Sequence, residues 1–149
     1  MHLTYRPAQP GDTAECVAVR GKTRENAVSE EQLRSFGITV RTWAENIRSG
    51  ALPGHVCISG GSVVGYCFGS RDTGEIEVLV VLPDFENRGI GRELLARTTK
   101  SLAELGHCRL YLGCSPVPTN RSYGFYRHLG WRSTETFDQR GDEILEIFI

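Results

Sequence analysis

The sequence predicts an α+β domain built around one mixed sheet, and three observations carry that prediction. At 149 residues the chain is most simply one domain, long enough to bury a real core. Apolar residues recur at helical spacing before Gly54 and at the two-residue alternation of strands after it. Turn signals then divide the chain into the order βααα–ββ–β–α–β–α–β–β, with no repeat, linker or low-complexity segment.

Each element has a local reason. "LTYRPA" alternates apolar and polar residues until Pro7 and Pro10-Gly11 break it, which predicts a strand and a turn. Asp12 or Thr13 caps a helix through Arg20, with Ala14, Val17 and Ala18 on one side. "SEEQLRSFG" and "TVRTWAENIRSG" predict two short helices ended by Gly37 and Gly50, the second carrying Val40, Trp43, Ala44 and Ile47 on one face. "HVCIS", Gly60-Gly61 and "SVVGYCFGS" predict a hairpin. "GEIEVLVVL" is a third extended run, stopped by Pro83. Ile90, Leu94, Leu95, Thr98, Leu102 and Leu105 form one stripe of a long helix that Gly106 ends. "HCRLYLGC" predicts a strand, "NRSYGFYRHLG" a short helix, and "WRSTETF" and "EILEIFI" the last two strands around the turn at Arg140-Gly141-Asp142.

Composition narrows the function. The net charge is −1, and charged residues make up 23% of the chain. No stretch is dense in Lys and Arg, which argues against a nucleic-acid partner or a polybasic membrane patch. No apolar run reaches spanning length, and the first residues lack a signal-peptide core, so a cytoplasmic protein is expected. The five cysteines include no C-x-x-C pair, and no metal is expected.

The stretch "LPDFENRGIGRELLARTTKSLAELG" decides the rest. A strand that ends in a glycine turn opening a helix gathers unpaired N–H groups at the positive end of a helix dipole, where anions bind. Gly89 and Gly91 let the main chain approach a ligand closely, and Arg88 and Arg92 add charge. A turn with glycines for packing remains one reading. A Rossmann loop would need a third glycine where Leu94 stands, and a Walker A loop would need G-K-[ST]. The remaining reading is a pyrophosphate arm for coenzyme A.

Here "VVLPDFENRGIGRELL" resembles the acyl-CoA motif [QR]-x-x-G-x-[GA] of the GNAT superfamily of N-acetyltransferases, and "FYRHLGW" resembles its later F-Y-x-x-x-G-[FW] segment. The resemblance covers residues 54–132. It implies a GNAT-like three-layer fold with a mostly antiparallel sheet of about six or seven strands. It also implies a single N-acetyltransferase domain over residues 1–149, with acceptor-side helices at 21–50 and an acetyl-CoA-binding strand–loop–helix at 74–106. Glu86 stands where the motif has Gln or Arg, and its side chain is expected to turn to solvent while backbone N–H groups serve.

The same resemblance implies that acetyl-CoA pairs with the main chain of Leu79 and Val81, with Val80 also at the cofactor, and rests its diphosphate on Asn87, Arg88, Gly89, Ile90, Gly91 and Arg92. Asn120, one place after the family's asparagine position, is a further cofactor candidate. Tyr126 matches the family's tyrosine; its free pKa of about 10 lies above that of a thiol, and it is the expected acid for the leaving sulfur, although aromatic packing also accounts for it. Glu75 and Glu77 are candidate bases, with solvated strand carboxylates as the plainer account. Arg24, Glu25 and Asn26 are candidates to hold the amine acceptor. The expected function is transfer of acetyl from acetyl-CoA to a primary amine of a small molecule, amino acid or peptide. A non-catalytic acyl-CoA sensor and a protein N-terminal or lysine acetyltransferase are the alternatives. A homodimer is also compatible, with "EILEIFI" at its interface or merely completing the sheet.

Overall fold

The computed structural model describes residues 2–25 and 27–149. Twelve regular elements follow the expected order: β1 (Leu3–Pro7), α1 (Thr13–Arg20), α2 (Glu30–Ser35), α3 (Val40–Ser49), β2 (Gly54–Ser59), β3 (Ser62–Gly69), β4 (Ile76–Val81), α4 (Ile90–Glu104), β5 (Arg109–Cys114), α5 (Arg121–His128), β6 (Arg132–Phe137) and β7 (Glu143–Phe148). The β2–β3 hairpin turns on Gly60 and Gly61, both at positive φ, as a tight two-residue connection requires. Ser29 and Thr39 cap α2 and α3 by accepting from the N–H groups of Gln32 and Thr42.

The expected single sheet is two. Strands β1-β2-β3-β4 form one antiparallel sheet and β5-β7-β6 the other. Between the described strands β4 and β5 there is one isolated parallel bridge, Glu75 to Tyr111. The register of β4 against β3 slips between Phe68 and Gly69, leaving Glu77 as the extra residue of a bulge. A bulge bends its strand and sharpens its twist, which accounts for β4 leaving β5 just past the bridge and opening a wedge.

Two apolar clusters fill the space around the sheets. One joins α4 and both sheets through Ile90, Leu94, Leu95, Leu102, Leu110, Leu112 and Leu145. The other packs α1–α3 against β2 and β3, with Trp43 edge-on to Tyr66 and Phe68 at 5.9 and 5.3 Å. Two expected faces shift. In α1 the buried side chains are Thr13, Cys16, Val17 and Val19, whereas Ala14 and Ala18 are exposed. Thr13 is drawn inward because its hydroxyl donates to Pro10 and Val40 carbonyls, rotating the helix away from an alanine stripe that offers little area to bury. Asp12 does not cap α1 with its side chain; its carboxylate accepts from both terminal nitrogens of Arg6 at 2.8 Å. On α4 the stripe holds from Ile90 to Leu102, and Leu105, in the final turn, is exposed.

Candidate active site

The wedge between the sheets is a cleft of about 730 Å³. Its wall is the free edge of β4. Leu82 N–H donates to Val64 C=O across to β3. Antiparallel ladders alternate, so Val80 and Val78 also bond toward β3, and the main-chain groups of Leu79 and Val81 point into the wedge. Leu79, Val80 and Val81 all line the cleft. An edge with unpaired N–H and C=O groups can take an extended ligand as an added strand.

The far end of that wall is the start of α4. Asn87 and Gly89 both have positive φ, 64° and 78°, so the turn concentrates its N–H groups on one side. The first α-helical hydrogen bond is Glu93 N–H to Gly89 C=O, and no side chain caps the helix. The amides of Ile90, Gly91 and Arg92 therefore have no intrahelical acceptor and sit at the positive end of a helix of 15 residues. Asn87, Gly89, Ile90, Gly91 and Arg92 line the cleft. Ile90 does so through its backbone, since its side chain is buried in the core. Gly91 has an ordinary φ; a Cβ there would lie 3.6 Å from the Phe125 ring, so its value is the space it leaves. Arg88 is not among the lining residues and places its guanidinium 5.1 Å from the Phe85 ring centroid.

Tyr126, on α5, lines the floor. It is 9% exposed and packs edge-on to Phe125 and Trp131. Its hydroxyl makes no hydrogen bond among the described residues. Burial pushes that hydroxyl far above its ordinary pKa, with the neighbouring Cys67 and Cys114 thiols adding to the effect. Outright proton transfer from so weak an acid to a thiolate runs uphill, so the position suits a hydrogen-bond donor to sulfur better than a full acid. Glu75 and Glu77 line the same cleft on either side of Ile76. Burial raises the pKa of both carboxyls, and for Glu77 the charge of Glu75 adds to it.

Other expected residues are placed differently. Glu86 does not turn to solvent. Its side chain, 12% exposed, is held between Arg24, at 2.8 Å, and Arg121. Arg121 also donates to Asn87 Oδ1, and its backbone N–H reaches the Glu25 carboxylate. Arg24 and Glu25 thus line the cleft from the α1–α2 connection, while Asn26 lies outside the described residues. An acid beside the helix start is stable there because two guanidiniums neutralise it. Asn120 is not among the lining residues; its Nδ2 donates to Ser115 Oγ at 2.8 Å, which fixes the β5–α5 loop. Among the lining residues that went unanticipated are Arg121, Asp138, Arg140 and Asp142. No local pattern marks them, because they reach the cleft only through the pairing of β7 with β5 and the docking of α5.

The sheets thus split beside an uncapped helix, with a free strand edge leading to it. Residues 22–131 match the family model described as acetyltransferase (GNAT) family, and the chain belongs to that family. Solved structures agree over nearly the whole length. A PaiA N-acetyltransferase from Thermoplasma acidophilum in complex with coenzyme A is similar with TM-score 0.83 and 18% identity, covering 100% of both chains. YncA, a putative acetyltransferase from Salmonella typhimurium with its cofactor acetyl-CoA, gives TM-score 0.78 and 18% identity over 99% of this chain and 94% of its own. The ribosomal-protein-S18-alanine N-acetyltransferase from Escherichia coli gives TM-score 0.71 at 18% identity, over 99% and 94%. At these identities the likeness is one of fold. No curated protein matches the chain in sequence. Among the described residues no helix is long and apolar enough to cross a membrane.

Proposed function

We propose that this chain transfers an acetyl group from acetyl-CoA to a primary amine by direct attack within a ternary complex. One observation carries the reading: the free edge of β4 leads straight to the uncapped start of α4, and the Tyr126 hydroxyl, bonded to no described residue, lies on the floor between them. The cleft fits coenzyme A on its own terms. Leu79 and Val81 offer strand pairing to an amide-bearing arm, and the amides of Asn87 to Arg92 offer a seat for a diphosphate. Two similar structures, crystallised with coenzyme A and with acetyl-CoA, support the assignment.

The thioester supplies an acyl carbon activated toward nitrogen. Around it, the chain's residues do three things. Glu75 or Glu77 accepts the proton that the ammonium form of the acceptor must lose, directly or through water. A β4 N–H between Leu79 and Val81 donates to the carbonyl oxygen as charge builds there. The Tyr126 hydroxyl donates a hydrogen bond to the departing sulfur. Forming the carbon–nitrogen bond and breaking the carbon–sulfur bond would leave one further proton on the nitrogen, which would pass to solvent, and solvent would return one to the departing thiolate. Arg24 and Glu25 stand on the acceptor's side of the cleft.

Thiol release from acetyl-CoA, measured against an amine panel, tests the reading. Release that depends on the amine and yields its acetamide supports it. Tight coenzyme binding with no release for any amine overturns it in favour of a non-catalytic acyl-CoA sensor.

A further inference from the structure

The α5 helix spans only eight residues, yet it has to place the Tyr126 hydroxyl within hydrogen-bond reach of a reacting sulfur. Phe125, Tyr126 and Leu129 give it an apolar footing on the core. Apolar contact is non-directional and tolerates small slides and rotations. At the first residue of α5, Arg121 ties the helix to Glu86. The end that carries Tyr126 is tied by Arg127. Its Nη2 donates to Glu143 Oε1 at 2.6 Å, and its Nη1 donates back to the Tyr123 carbonyl at 3.2 Å. The guanidinium also lies 3.7 Å from the Tyr123 ring centroid, so it is gripped on its face as well as at its edge.

Glu143 is a fixed post for that tie. It opens β7 and pairs with Cys114 of β5 on one side and Phe137 of β6 on the other. Its Oε2 accepts from Ser133 Oγ, so both carboxylate oxygens are engaged. The Ser133 hydroxyl first, then Arg127, hold its carboxyl below the ordinary pKa, which keeps it charged at neutral pH. The side chains of Glu143 and Arg127 are 12% and 25% exposed, which makes their bond firmer than the exposed pairs along α2, α3 and α4. The post stands directly behind the chemistry. Cys114, opposite Glu143 in the ladder, lines the cleft. Burial raises the Cys114 thiol and Arg127 offsets part of that rise, while Cys114 in turn acts on Tyr126. Clamp, thiol and tyrosine therefore share one neighbourhood. Arg127, Ser133 and Glu143 are not among the lining residues, so the trio acts on the cleft from behind.

Resting on the acetyl-transfer reading, we propose that Glu143 is a positioning residue for the reaction: through Arg127 it sets where the Tyr126 hydroxyl stands as the carbon–sulfur bond breaks. A hydrogen bond to charge developing on sulfur weakens steeply with distance and angle. Losing the clamp lets α5 shift and slows the bond-breaking step, while the free edge of β4 and the start of α4 still capture the coenzyme.

A double-mutant cycle in the thiol-release assay tests this, with an amine that the native protein acetylates. Glu143→Ala should lower kcat by about tenfold and leave the KM for acetyl-CoA within about twofold of native. Glu143→Gln, which keeps a neutral acceptor for Arg127, should return kcat to within about threefold of native. Tyr126→Phe alone lowers turnover by about a hundredfold. Adding Glu143→Ala to it should cost no more than about a further twofold, whereas independent effects would multiply to about a thousandfold. Thermal melting confirms that each variant is folded. If the alanine variant is not, Arg127→Met takes its place in the cycle, since it leaves no arginine without its acid. A tenfold loss that persists beside Tyr126→Phe overturns the inference and leaves acetyl transfer standing. So does an unchanged kcat, or a KM that rises in step with the loss. If the native protein releases no thiol with any amine, acetyl transfer itself is overturned and the inference falls with it.

Discussion

Gly89→Val is the substitution whose outcome is most tightly constrained by the geometry. Gly89 holds φ at 78° immediately before the first residue of α4. A Cβ built there meets nothing within 4 Å, so the change introduces no clash. Its penalty is backbone strain alone, roughly 1–2 kcal/mol for an L side chain in the left-handed region, and β-branched valine belongs at the upper end. That is a modest share of a typical stability of about 5–15 kcal/mol, and melting should fall by roughly 3–8 °C for a domain of this size. The chain can relieve the strain only by rotating out of the left-handed region, which turns the adjoining N–H groups away from the cleft. Losing two hydrogen bonds to a charged diphosphate, at roughly 1.5–3 kcal/mol each, weakens coenzyme A binding by about a hundredfold to ten-thousandfold. Calorimetry with coenzyme A reads this directly. Gly89→Asn, which tolerates a left-handed φ, should bind within about threefold of the native protein. If Gly89→Val melted as expected and still bound within threefold, the turn would have no role in holding phosphate.

Three further outcomes follow from particular residues. Tyr126→Phe should lower turnover by about a hundredfold with coenzyme affinity and melting temperature unchanged, since the hydroxyl has no partner among the described residues; equal turnover would remove it from the mechanism. Because burial raises the Glu75 carboxyl, the acidic limb of kcat/KM should lie above the ordinary glutamate value of about 4.3, with activity falling as pH drops through it. Glu75→Gln should abolish that limb, and an unmoved limb would shift the role to Glu77 or water. Asp12→Asn should destabilise the fold by about 1–3 kcal/mol at neutral pH, as read by urea unfolding. Arg6 lowers the folded-state pKa of Asp12, so the native contribution is present above the unfolded value of about 3.9 and is lost as pH falls through the depressed one. The gap between native and variant should close in acid, and a constant gap would contradict the ion pair as its source.

Local signals made the element order legible, because turns, caps and periodicity are written within a few residues. The glycine turn and Tyr126 could be read the same way, each lying inside a short motif. The rotation of α1 could not, since it depends on a Thr13 hydrogen bond to Val40, 27 residues away. The division of the sheet was equally hidden: it follows from a bulge at Glu77 that only the register against β3 reveals. Glu86 looked like a misplaced acid because its partners, Arg24 and Arg121, are remote in sequence. Asp138 and Asp142 read as ordinary turn residues until the β6–β7 turn is seen lying over β5.

The placement of the coenzyme along β4 and against α4 underlies every functional statement, and a backbone amide NMR titration with coenzyme A tests it most directly. The account predicts saturable shifts confined to Leu79, Val81 and residues 87–92, together with slowed hydrogen exchange at Leu79 and Val81. Saturable binding that leaves those amides unmoved, with shifts elsewhere on the protein, would contradict it.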